Sequence, residues 1–155
     1  MIKCLLVSIA FVFSSKLLAE SYFLMASVVD PESSPQPTFI ALGKGSRLYH
    51  YPARQSLIPV DTGTYRLRHV DFGTVSMGRA IYFRSDKLKF EALEDSIVYV
   101  GLLVVDKGIE EASVNVVFDP RLLEWACENN PEILKRMPVT FVEDGIAVKE
   151  IKVDC

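Results

Sequence analysis

IVYVGLLVVDKGIEEASVNVVFD, residues 97–119, decides how this chain is read. Ile97 to Val105 is the longest apolar run outside the N-terminus, and it stops at the polar, glycine-containing DKGIEEA. A short, continuous, β-branched run bounded by a turn signal reads as a strand covered on both faces. SVNVVFD, after the turn, reads as its successor. The segment is therefore strand, turn, strand.

The same grammar extends upstream. LKFEAL (88–93) places Leu88, Phe90 and Ala92 on one face and Lys89 and Glu91 on the other, and EDS turns the chain. TYRLRHVDF (64–72) alternates, with Tyr65, Leu67 and His69 expected inward and Arg66, Arg68 and Val70 outward. Before it, Pro59 fixes φ and VDTG supplies turn residues; Gly63 is expected to need a positive φ. SRLYHYP (46–52) sets Leu48 and His50 against Tyr49 and Tyr51, while RAIYFRS (79–85), TFIAL (38–42) and SYFLMASVV (21–29) are further strand candidates. DPESSPQP (30–37) and GTVSMG (73–78) read as loops.

Downstream the pattern changes. DPRLLEWACENNPEILKRMP (119–138) holds two helix starts of one design, Asp119-Pro120 and Asn130-Pro131, each an N-cap residue before a proline. Pro131 interrupts a single long helix, so two short helices or one bent at Asn130 are expected. Glu124 and Glu128 fall early, Lys135 and Arg136 late, in the sense the helix dipole favours. VTFVEDGIAVKEIKV (139–153) closes the chain as a hairpin. Some nine or ten short strands with one helical insertion describe a mainly β protein, a sandwich or small barrel.

IPVDTGTYRLRHVDF (58–72) followed by FEALEDSIVYVGLLVV (90–105) resembles a pattern in secreted bacterial β-sandwich proteins of unknown function, prealbumin-like or carboxypeptidase-regulatory-like. In that pattern a glycine–tyrosine turn leads into a strand, and a later strand carries YVG after a glycine-containing turn. Gly63 and Tyr65 stand in the first turn, and Tyr99, Val100 and Gly101 in the later strand; the LEDS turn before it lacks the glycine. The likeness spans residues 57–105. It implies an immunoglobulin-like or prealbumin-like sandwich that is exported, and it carries no activity with it.

The N-terminus points the same way. MIK begins with a positive charge, CLLVSIAFVF is a short apolar run, and Ala19 is a small residue before Glu20, the layout of a secretory signal peptide. The run is well short of the roughly 20 residues a membrane-crossing helix needs. The expected division is a signal peptide over 1–19 and a single β-sandwich domain over 20–155, with no stable membrane insertion after cleavage. A cut after Ser21 also fits, and an uncleaved anchor is the minority alternative. Lipidation would need a cysteine directly after the apolar run, and Cys4 lies before it.

Removal of 1–19 takes Lys3, Lys16 and Cys4 but no acid, so the whole chain's formal −3 becomes −5. Neither value suggests nucleic acid as a partner. Cys127 and Cys155 remain, and an even count in an oxidising compartment predicts one disulfide. Closing that loop is worth about 3 to 4 kcal/mol through the entropy of the unfolded chain.

No catalytic grouping is recognised. The chain has only His50 and His69, no G-x-S-x-G elbow, and in GKGS (43–46) no phosphate-loop spacing. A metal site is not expected either, with the two histidines distant in sequence and Asp61 and Asp71 outside any EF-hand pattern. No cofactor is expected. The best binding candidate is RLYHYPAR, where Tyr49 and Tyr51 project from one strand face flanked by Arg47 and Arg54, aromatic and guanidinium groups suited to a sugar or a protein.

The expectation is thus an exported periplasmic or secreted protein, a non-enzymatic interaction module of the bacterial cell envelope whose partner is another envelope protein. The alternative is a small-ligand or carbohydrate binder using the Tyr49/Tyr51 face, and the third reading is a hydrolase with an unrecognised site.

Overall fold

The computed structural model describes residues 20–30, 35–72, 79–83, 88–106, 112–143 and 146–155. The expected signal peptide, with Cys4 and Ala19, lies outside them, as do the whole of the loop expected at 73–78, parts of those expected at 30–37 and 106–112, the end of the strand expected at 79–85 and part of the turn of the closing hairpin. Among the described residues, eleven strands and two helices follow in the order β1 (Ser21–Asp30), β2 (Phe39–Lys44), β3 (Arg47–Pro52), β4 (Ser56–Val60), β5 (Gly63–Phe72), β6 (Arg79–Tyr82), β7 (Lys89–Ala92), β8 (Ser96–Asp106), β9 (Ser113–Val117), α1 (Pro120–Asn129), α2 (Pro131–Arg136), β10 (Val139–Glu143) and β11 (Ile146–Ile151).

The strands form two sheets. The first has the order β11-β10-β8-β1-β4, with β9 also paired to β8; the second has the order β3-β2-β5-β6, with β7 also paired to β5. The protein is mainly β, as its short alternating segments predict. The second sheet is antiparallel throughout, whereas β8 runs parallel to both β1 and β10. The path from β8 to β10 passes through β9 and both helices, the longer crossover that parallel neighbours require.

An inner core fills the space between the sheets, with Phe23, Met25, Ile40, Leu42, Tyr65, Leu67, Val98 and Leu103 among its members. A second core lies on the other side of the first sheet, where Leu24, Ile97 and Tyr99 meet Leu122, Ala126 and Leu134 of the helices. β8 is therefore covered on both faces, which explains its uninterrupted apolar sequence. Full burial of each large side chain contributes about 1.5 to 3 kcal/mol.

Both long central strands break the two-residue alternation once. In β8 the inward residues are Val98 and Val100, then Leu103 and Val105; the irregularity lies where Leu24 pairs with Tyr99 but Met25 with Gly101. In β5 they are Tyr65 and Leu67, then Val70 and Phe72; Leu42 pairs with Leu67 but Ala41 with His69, leaving Arg68 as the extra residue of a bulge. The bulge corrects the strict alternation expected for TYRLRHVDF. Val70 is a core residue, and His69 stands on the outer face with Asp71.

LIPV, expected only to lead into a turn, is strand β4. It lies at the edge of its sheet, where a proline such as Pro59 leaves no ladder bond unmade. Gly63 has φ +130, the positive value expected. In the glycine-free LEDS turn, Asp95 takes the left-handed conformation, with φ 49.

The helices divide at Asn130 as expected. Asp119 caps α1 through a bond from the Arg121 N–H to its carboxylate (3.0 Å), and each helix begins with its proline. The charge arrangement favoured by the dipole holds for α2, with Glu132 early and Lys135 and Arg136 late, but α1 has no acid in its first turn. Tyr99 fastens the helical layer to β8: its hydroxyl donates to the Asp119 carbonyl (2.9 Å) and accepts from the Asp119 N–H (2.8 Å). Cys127, on α1, and Cys155 come to disulfide distance with their Cα atoms 5.2 Å apart.

Candidate functional site

β3 and β4 are edge strands of different sheets, and residues 53–55 carry the chain from one to the other. Their inner faces oppose each other across an open side of the sandwich. Tyr49 and Tyr51 point inward from β3 onto the margin of the core, where they are half-buried. Tyr65 reaches the same place from β5, while Tyr22, at the start of β1, packs with the helix-side core and only borders it. Together with Glu20, Ser21, Pro59, Val60 and Asp61 they line a cleft of about 370 Å³. That volume lies within the range of small-molecule sites.

The cleft is ordered by contacts between its rings. Tyr49 and Tyr51 lie nearly parallel, their planes 7° apart and centroids 6.3 Å apart, and Tyr49 is 6.0 Å from Tyr65. Phe23 meets the Tyr65 ring edge-on at 5.0 Å. The Tyr65 hydroxyl donates to the Asp61 carbonyl (3.0 Å), fixing the β4–β5 turn against the cleft. Lys44 stands 5.3 Å from the centroid of the Tyr65 ring and donates to the Thr62 carbonyl (2.6 Å).

Its electrostatics favour a neutral ligand over an anion. Burial raises the Tyr51 hydroxyl pKa well above the usual phenol value, and neighbouring Tyr65, Tyr49 and Asp61 raise it further. Burial does the same for Tyr65, helped by Asp61. These hydroxyls keep their protons at neutral pH; that of Tyr65 is spent on the Asp61 carbonyl and can only accept from a ligand, whereas that of Tyr51 can donate or accept. Glu20 contributes a carboxylate at the rim, held by Arg136 at 2.9 Å.

The structure divides the four residues expected to form a binding surface. Tyr49 and Tyr51 share the cleft. Arg47 is exposed and does not line it, while Arg54 lines a separate depression with Trp125, Asn129 and Asn130. The arginines therefore do not flank the tyrosines as a single surface. Tyr65 on β5 and Asp61 in the β4–β5 turn complete the cleft; the DTGTY turn was their only sequence signal.

A second constellation lies on the opposite face of β3. His50, Ala41, His69 and Tyr82 are successive cross-strand partners on β3, β2, β5 and β6. Ala41 separates the two histidines by one small side chain, and their ring centroids come within 5.5 Å. The bulge that turns His69 outward also puts Asp71 on this face, where its Oδ2 is 3.4 Å from His69 Nε2 and 3.7 Å from His50 Nε2. The histidines are distant in sequence only. His50, His69 and Asp71 are the group among the described residues whose donor atoms gather within 4.8 Å of one another.

Comparison of the chain with family models, with curated proteins and with solved structures finds no match.

Proposed function

We propose that this protein is an exported, non-enzymatic binding module of the bacterial cell envelope that takes a neutral carbohydrate in the tyrosine cleft between β3 and β4. The parallel Tyr49 and Tyr51 rings at the open side of the sandwich carry the reading. Aromatic faces suit the C–H surfaces of a sugar, and protonated phenols with the Asp61 and Glu20 carboxylates suit its hydroxyl groups. Within this proposal the domain is an immunoglobulin-like or prealbumin-like sandwich; the two stacked sheets support that assignment, and the parallel neighbours of β8 are its departure from an all-antiparallel pattern.

The test is titration of neutral and amino-sugar oligosaccharides into the protein, followed by heat and by tyrosine fluorescence. Saturable binding that weakens at least ~5-fold in Tyr49→Ala and survives in Tyr49→Phe is expected, since stacking on an aromatic contributes about 1 kcal/mol. Binding indifferent to Tyr49→Ala, or none across the panel, would count against the cleft.

Another envelope protein as partner is the second reading. It draws on the exposed apolar side chains Val116, Val117 and Phe118, which are 42%, 44% and 57% exposed. Cross-linking in the native envelope tests it, with Val117→Asp expected to abolish capture; capture unaffected by that change would remove this support.

A further inference from the structure

We propose that His50, His69 and Asp71 form a binding site for a divalent transition-metal ion on the outer face of the antiparallel sheet, separate from the tyrosine cleft. Three observations converge on it. The donor set comes first: two imidazoles and one carboxylate suit borderline ions such as Zn²⁺, Ni²⁺ or Cu²⁺ and are poorly matched to Ca²⁺ or Mg²⁺, which prefer oxygen.

The spacing is the second. Both Nε2 atoms approach the same carboxylate oxygen of Asp71, at 3.4 and 3.7 Å. These separations are longer than the 2.7 to 3.2 Å typical of a direct N–H···O bond. They are close to the roughly 3.4 Å between two ligands that each sit about 2.0 to 2.1 Å from a tetrahedral ion. The histidines therefore stand from Asp71 as ligands of one ion would stand from each other.

Preorganisation is the third. The ligands project from β3 and β5, the strands on either side of β2, rather than from loops, and pairing of both with β2 fixes their register. Ala41, fully buried beneath them, leaves room that a larger residue would fill. The bulge at Arg68 turns the His69–Asp71 pair to the face on which His50 stands, a use to which bulges are often put beside functional sites. Tyr82 backs His69 at 4.9 Å, and Thr38 holds the Asp71 carbonyl through its backbone N–H (2.8 Å) and its hydroxyl (3.1 Å). His69 and Asp71 have side chains 10% and 18% exposed, against 36% for His50. His50 is thus the ligand nearest solvent, and that side leaves a fourth coordination position for water or an added group.

The experiment uses the untagged protein and Zn²⁺ alone. Because the chain has only two histidines, imidazole ¹H–¹⁵N spectra report on both ligands without ambiguity. The proposal expects both imidazole signals to move together and to saturate at one equivalent of Zn²⁺, while an equal concentration of Mg²⁺ leaves them in place. His50→Ala, at the exposed position, should keep the wild-type melting temperature without metal and weaken Zn²⁺ binding by at least ~10-fold. Asp71→Asn should weaken it likewise. Movement of one imidazole alone, an equal response to Mg²⁺, or undiminished binding by folded His50→Ala would each overturn the site. Zn²⁺ taken up elsewhere, for instance at thiols, would leave both imidazoles unmoved and would overturn it too.

Discussion

Gly101 sits where β8 changes phase, and a single methyl group there tests the account of that change. Its φ is +94, outside the range that L-residues adopt readily. A Cβ at this position would lie 3.0 Å from the Val117 carbonyl oxygen and 3.2 Å from both Tyr99 Cε1 and Val116 Cγ1. The backbone strain is about 1 to 2 kcal/mol. Forcing a methyl into the packed junction with β9 adds about 1 to 3 kcal/mol. Alanine returns about 0.4 to 1 kcal/mol by restricting the unfolded chain. Gly101→Ala should therefore cost about 1 to 5 kcal/mol, centred on ~3, a fall in Tm of about 3 to 15 °C for a domain of this size. Gly45→Ala is the control: φ is +58 but nothing lies within 4 Å of the new methyl, so only strain acts and the net cost is about 1 kcal/mol. Urea unfolding of the two variants beside the wild type measures the difference. If Gly101→Ala were as stable as Gly45→Ala, the close approach of β9 to β8 would not be what requires glycine.

Asp95→Gly should raise stability by up to about 1 kcal/mol by relieving the left-handed conformation, read as an upward shift of the urea midpoint at unchanged m-value. Tyr99→Phe removes both bonds to Asp119 and should cost about 1 to 3 kcal/mol, with helical circular dichroism lost earlier on heating than in the wild type. Reduction of Cys127–Cys155, which are 28 positions apart, should lower stability by about 3 to 4 kcal/mol; identical unfolding curves with and without reductant would contradict this. Tyr51, Tyr65 and Tyr99 all have raised pKa values, chiefly through burial. Their protonated forms are favoured in the fold, so the stability they confer is intact below the ordinary phenol pKa of about 10 and is lost as pH rises beyond it. Chemical denaturation between pH 8 and pH 11, roughly spanning that value, should show the decline begin near its middle.

Most of the strands were legible because each half-buried segment writes its own alternation, as LKFEAL does, and because β8 announces its double burial by lacking any polar interruption. The two helices were legible from their Asp119-Pro120 and Asn130-Pro131 starts. β4 was not, since Pro59 next to VDTG carries the same signal whether it closes an edge strand or opens a turn. The phase of β5 was hidden as well: nothing about Arg68 marks it as the surplus residue, and one unmarked residue exchanges the faces of His69 and Val70. Of the candidate site, Tyr49 and Tyr51 could be found because they share one strand. Tyr65 and Tyr22 could not, and neither could the approach of His50 to His69. That approach depends on the pairing of β3, β2 and β5, a relation between segments that no single segment encodes.

The crossing from β3 to β4 also governs how the cleft can move. Ala53 is almost wholly buried at that crossing; its N–H donates to Thr38, just before β2, and its carbonyl accepts from Ser27 of β1. One residue is thus stitched to both sheets, at the end of the β3–β4 path remote from Val60 and Asp61. The two lips of the opening are joined there as the covers of a book are joined at the spine. Widening for a bulky guest would be a rotation about Ala53 rather than a separation of the layers. Amide hydrogens at Ser27 and Ala53 would then stay protected from exchange while those along the outer end of β4 open and close.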